Sequence, residues 1–137
     1  MAAKSVTHTV SLSLGDVALA LSDTSTATAN PTDFVLGSQS VSTSYEALDD
    51  GDVDPASCLV MLLIKNENTT GSSELQVSLD GHLADDGDGS TNPTIHLVLH
   101  NGQTNLISIE NYGNVRVKSN TGTVEVTYMA VQIGANT

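Results

Sequence analysis

Residues 58 to 64 read Cys58-Leu59-Val60-Met61-Leu62-Leu63-Ile64, an unbroken apolar run of seven that closes on Lys65-Asn66. The run has strand length and falls far short of the roughly 20 residues that a membrane-spanning helix needs. It lacks the alternation of a half-exposed strand. A strand of this kind is covered on both faces, inside a sandwich or at a subunit contact, and belongs near the centre of its sheet.

On either side of this run, apolar and polar residues alternate with a period of two, and no window carries the i, i+3, i+4, i+7 pattern of an amphipathic helix. The expected strands are Thr7 to Leu14, Val17 to Leu21, Phe34 to Leu36, Gln39 to Tyr45, Cys58 to Lys65, Glu74 to Leu79, Thr94 to His100, Gln103 to Glu110, Val115 to Ser119 and Thr123 to Ile133. One helical turn is expected, near Tyr45 to Asp50. The class is therefore all-β: a single antiparallel β-sandwich, with a jelly roll among the arrangements that fit.

Asn101-Gly102 offers the positive φ values of a type I′ hairpin turn, so the last four strands read as a C-terminal meander. In the next hairpin, an even loop around Asn120-Thr121 sets Val115 and Val117 against Val124 and Val126 on the inner face, with Arg116, Lys118 and Glu125 pointing out. An odd loop would oppose Glu125 to a core valine, the costlier arrangement.

A chain of 137 residues is the size of one domain, read here as residues 1 to 137. Hydrophobic residues make up 39% but aromatics only 3%, with one Phe34 and no Trp, so Val, Leu, Ile, Ala and Met must build the core. Residues 57 to 133 hold the larger apolar groups. Residues 1 to 56, rich in Ser, Thr, Ala and Asp, read as outer strands and long loops, or in part as an arm that packs on a neighbour. Residues 1 to 9 in particular have only Val6 as a branched apolar group, and read as a mobile arm.

Four Lys and Arg against sixteen Asp and Glu leave a net charge of -12. That balance repels phosphate backbones and anionic lipid surfaces, so neither nucleic acid nor membrane is an expected partner, whereas a cationic protein surface suits it. Cys58 is the only cysteine and reads as a small buried thiol in a reducing or indifferent compartment. Asp16 interrupts the stretch Val10 to Leu21, so no secretory signal is expected. The sequon Asn68-Thr69-Thr70 then carries no weight.

The acidic runs Asp49-Asp50-Gly51-Asp52-Val53-Asp54 and Asp85-Asp86-Gly87-Asp88-Gly89-Ser90 bring together carboxylates of the kind calcium prefers. Neither fits the D-x-[DN]-x-[DN]-G-x5-E loop, because Pro55 or Thr91 stands where the glycine is required. Both read as solvated loops, with Asp85, Asp86 and Asp88 kept as weak metal candidates. His96 and His100 have a helical metal-pair spacing, but Ile95, Leu97 and Leu99 make the segment a strand, which places the imidazoles about 13 Å apart. His8 and His82 fall in no pattern.

No nucleophile elbow, Cys–His pair or phosphate-cradling glycine loop occurs, so no catalytic or cofactor-binding residue is assigned and no cofactor is expected. Of the few aromatic faces a sugar-binding groove would use, Tyr112 lies in a turn where it could be exposed, and Tyr128 lies in a strand and reads as core.

The second half resembles the small β-sandwich structural proteins of tailed bacterial and archaeal viruses. The residues that carry the likeness are Cys58 to Asn66, Leu75-Gln76-Val77-Ser78-Leu79-Asp80-Gly81, and Val115-Arg116-Val117-Lys118-Ser119 followed by Gly122-Thr123-Val124-Glu125-Val126. The resemblance implies a non-enzymatic virion component made in the host cytoplasm, first of all a capsid decoration (cement) protein. Its partners would be the major capsid or other virion proteins, and it would act as a homo-oligomer, a trimer or dimer. A connector or tail component and a carbohydrate-binding or adhesion module are the alternatives.

Overall fold

A computed structural model describes residues 4–13, 20–29, 33–55, 58–80 and 94–135; within the first two of these segments it describes the backbone and the side chains of Thr7 and Thr9. Ten strands follow in chain order: β1 (Lys4–Ser13), β2 (Ala20–Ala29), β3 (Phe34–Val41), β4 (Glu46–Ala47), β5 (Cys58–Asn66), β6 (Leu75–Ser78), β7 (Leu97–Leu99), β8 (Thr104–Glu110), β9 (Arg116–Ser119) and β10 (Val124–Ala135). A short 3-10 turn, Tyr112–Asn114, lies between β8 and β9.

Among the described residues, β1 and β2 pair in a ribbon of their own, and the remaining strands form two four-stranded sheets ordered β3-β10-β5-β8 and β4-β9-β6-β7. Every pairing is antiparallel. The protein is thus an all-β sandwich, and its strand order is that of a jelly roll. β3 pairs with β10, β4 with β9, β5 with β8 and β6 with β7, so within the sandwich the chain doubles back once, between Ser78 and Leu97. The resulting long hairpin is rolled so that successive pairs fall alternately in one sheet and the other.

Alternation explains why these residues choose this roll. Val60, Leu62 and Ile64 of β5 and Val124, Val126, Tyr128 and Ala130 of β10 are buried on the inner face of one sheet; Leu75 and Val77 of β6 and Val117 of β9 are buried on that of the other. Each Val, Leu or Ile among them contributes about 1.5–3 kcal/mol on leaving water. β5 is central, as its apolar run requires, but its outward side is only partly covered: Met61 is buried and Leu63 is exposed.

Several expectations need correction. The last four strands are no meander, since β7 and β9 lie in one sheet and β8 and β10 in the other. The inward set Val115, Val117, Val124 and Val126 is right, and all four are buried, but the valines of β9 and β10 meet across the core instead of side by side. Parity fixes which face a residue occupies, not which strand lies beside it. The Asn101-Gly102 turn accordingly joins the two sheets. It is closed by Gln103 N–H donating to the His100 carbonyl at 3.0 Å, with positive φ at Gly102 alone, unlike a type I′ turn.

Tyr45 to Asp50 forms no helical turn: Glu46–Ala47 pairs with β9, and the 3-10 turn is instead at Tyr112–Asn114, entered through Asn111 at φ 56°. Finally, Phe34 to Leu36 and Gln39 to Tyr45 are one strand up to Val41, because Gly37 does not break it. Gly37 stands opposite Tyr128, and a Cβ there would come within 2.6 Å of the phenol ring. The glycine makes room for the tyrosine.

The first half of the chain thus supplies β3 and β4 to the sandwich and β1–β2 to the separate ribbon, which contacts β10 through β2. From Lys4 onward, the segment expected as an arm is paired, Lys4 with Ala29 and Thr9 with Thr24.

Candidate functional site: the outward face of the β3-β10-β5-β8 sheet

Cross-strand register brings four apolar residues from four strands into one row. Leu36 of β3 stands opposite Met129 of β10, Met129 opposite Leu63 of β5, and Leu63 opposite Leu106 of β8. The row faces away from the core, with Leu36 67% and Leu63 and Met129 each 39% exposed. Phe34, 45% exposed, extends it along β3 toward Val131. Beside the row a shallow depression is bounded by Lys65, Thr104 and Thr127.

Charge is confined to the margins of this face. Lys65 Nζ lies 3.0 Å from Glu67 Oε2, and Glu125 accepts a 2.7 Å hydrogen bond from Ser40 Oγ. In a chain of net charge -12, an apolar strip with a polar, charged rim has the layout of a protein interface, apolar at its centre and polar at its edge. Sequence reading missed the row because its members lie in four separate strands. The signal was present, however: Leu36, Leu106 and Met129 each interrupt the polar parity of their own strand, and Leu63 lies in the run that is apolar on both parities.

The acidic loop after β4 is held by the core. Tyr112 Oη donates to the Asp49 carbonyl at 3.1 Å, and the Asp49 amide donates to Tyr128 Oη at 3.1 Å. The Gly51 amide bonds Asp49 Oδ1, the Asp54 amide bonds Gln132 Oε1, and Val53 is buried. Tyr112, considered above as an exposed turn residue, is therefore core, as is Tyr128. Burial raises the pKa of both hydroxyls.

No group of three His, Cys, Asp or Glu converges with metal-binding geometry among the described residues. Asp85, Asp86, Asp88 and His82 lie outside them, as do the side chains of His8 and Cys58. His96 and His100 have separate partners: His96 Nδ1 accepts from the Leu79 amide at 3.1 Å, and His100 Nδ1 lies 3.3 Å from Glu74 Oε1.

The opposite sheet has a mainly polar outward side, with Val98 of β7 exposed among polar neighbours; there Lys118 sits 4.8 Å over the Tyr45 ring and Arg116 donates to the carbonyls of Gly113 and Val115. No helix among the described residues is long and apolar enough to cross a membrane. No protein-family model matches this chain, and no curated protein or solved structure is significantly similar to it.

Proposed function

We propose that this protein is a non-catalytic structural protein of a virus particle, a capsid decoration protein that packs its outward sheet face on the head lattice. The observation that carries the reading is the row Leu36, Met129, Leu63 and Leu106. It lies on the outside of a jelly roll whose interior is already filled, so core packing gives no reason for it. Large apolar side chains gathered on one solvent-facing sheet serve association.

The occupant is a proteinaceous lattice surface with an apolar strip and a cationic surround, complementary to a chain of net charge -12. The architecture suits the proposal, since jelly rolls recur in viral capsid and lectin domains, and the sequence resemblance favours the virion over the lectin. So does the placement of aromatics: Tyr112 and Tyr128 are buried, Tyr45 lies beneath Lys118, and Phe34, 45% exposed, is the most exposed of the four rings. A connector or tail position on the particle is the second reading, since the same face would pack there.

The test is co-sedimentation of the purified chain with particles that lack it, beside Leu36→Glu and Met129→Glu variants. Saturable binding by the native chain, lost in folded variants, supports the proposal. Absence of the protein from purified particles, or binding only to a glycan array, overturns it.

A further inference from the structure

We infer that Asn101-Gly102 is a site of spontaneous deamidation that the fold holds closed, so that the chemistry at this turn records unfolding. In an Asn-Gly pair, the glycine backbone nitrogen attacks the asparagine Cγ and loses its proton. The C–Nδ2 bond then breaks and ammonia leaves, giving a succinimide. Water opens either imide carbonyl to leave aspartate or isoaspartate, so the net change is asparagine plus water to aspartate plus ammonia. Gly102 brings no side chain to hinder that attack, and apart from its chain neighbours no atom lies within 4 Å of where a Cβ would stand.

Two hydrogen bonds and one missing donor oppose the successive parts of that reaction. The attacking nitrogen is engaged, because the Gly102 N–H donates to the Asn66 carbonyl at 2.9 Å. That acceptor belongs to a fully buried residue whose own Nδ2 holds the Leu99 carbonyl at 2.9 Å. The leaving nitrogen is also engaged, since Asn101 Nδ2 donates to the Gly71 carbonyl at 2.8 Å. Lastly, Asn101 Oδ1 is buried with no donor, so the negative charge that the tetrahedral intermediate places on it meets no stabilising hydrogen bond.

All three features depend on β5, β7 and the loop at Gly71 being assembled, and all are lost together when the sandwich opens. Conversion is then irreversible in effect. A carboxylate at 101 would face the Gly71 carbonyl, and isoaspartate would add a backbone atom to the turn that joins the two sheets.

The experiment is incubation of the full chain in mildly alkaline buffer across a urea series, with Asn101 conversion followed by peptide mapping and mass spectrometry. In the folded protein conversion should be at least about tenfold slower than in the unfolded chain, the factor that one retained hydrogen bond imposes on a barrier. Across the series the rate should follow the unfolded fraction. Equal rates in folded and unfolded chain would overturn the inference, as would an unfolded chain that leaves Asn101 intact. An Asn101→Asp variant, mimicking the main-chain-preserving product, should fold with a lowered Tm, and an unchanged Tm would remove the claim that the product disfavours refolding.

Discussion

Tyr112 and Tyr128 hold the same residue from two sides: one phenol donates to the carbonyl of Asp49 and the other accepts from its amide, each at 3.1 Å. Tyr112 follows β8 and Tyr128 belongs to β10, so the pair pins the acidic loop 49–54 to two separated parts of the chain. Single Tyr→Phe changes should each lower stability by about 1 kcal/mol, the net value of one hydrogen bond. Because both act on Asp49, the double variant should lose less than the two singles together. Strict additivity in urea titrations would show that the two bonds work independently.

Alkaline pH tests the same pair. Burial first, then the proximity of Tyr128 and of the Asp50 and Asp49 carboxylates, raises the Tyr112 hydroxyl well above its ordinary value of 10.0. Below pH 10 both folded and unfolded forms keep the proton, and the group adds no pH slope. Above it the unfolded chain ionises first and binds fewer protons, so stability falls as pH rises through the folded-state value. Tyr112→Phe should flatten this decline while lowering Tm at neutral pH. A wild-type Tm constant from pH 9 to 12 would contradict the assignment.

Gly37→Ala tests the close approach of β3 to the Tyr128 ring. The new methyl would come within 2.6 Å of that ring, whose hydroxyl is tied to Asp49. Overpacking of this kind costs about 1–3 kcal/mol. Substituting Tyr128→Phe in the same chain should recover only a small part of the loss, because it removes the Oη contact at 2.6 Å but leaves the ring carbon at the same distance, whereas Tyr128→Leu should recover more.

Asn66 is a polar residue inside the core, with Nδ2 bonded to the Leu99 carbonyl and Oδ1 accepting from the Asn68 amide at 3.0 Å. Replacing it by Leu leaves a buried carbonyl and a partly buried amide without partners, at about 1–3 kcal/mol each. Asn66→Asp should be comparably harmful at neutral pH, since it removes the donor to Leu99 and buries a charge. A Tm within a degree or so of wild type for either would mean that water replaces these bonds.

For the Asp85, Asp86 and Asp88 run, millimolar calcium should leave Tm unchanged. A large rise that Asp86→Ala abolishes would establish a site there, because a ligand that binds only the folded form stabilises it by mass action.

The fold class was legible because strand parity is written residue by residue: the inward valines of β9 and β10 were identified before their neighbours were known. Strand order was not legible, because a period of two says nothing about whether the next strand lies beside or across the core. Asn101-Gly102 shows the limit well. The same dipeptide that closes a hairpin here carries the chain between sheets, since Asn66 and Gly71 offer it partners from elsewhere. The outward apolar row was half visible as breaks in alternation, but only cross-strand register gathers the breaks into one surface.

The doubling-back of the sandwich strands also sets an order of events in time. Val77 meets Leu97 across the smallest sequence separation of the four pairs, Leu62 meets Ile107 across a larger one, Glu46 meets Val117 across one larger still, and Phe34 meets Val131 only after most of the chain has been enclosed. Closing a loop loses entropy that grows with its length, yet each inner pair, once formed, shortens the free chain that the next pair must close. Assembly is therefore expected to zip from β6 and β7 outward, at the slow rates typical of distant strand pairing, with β3 the last strand to dock on the finished sheet.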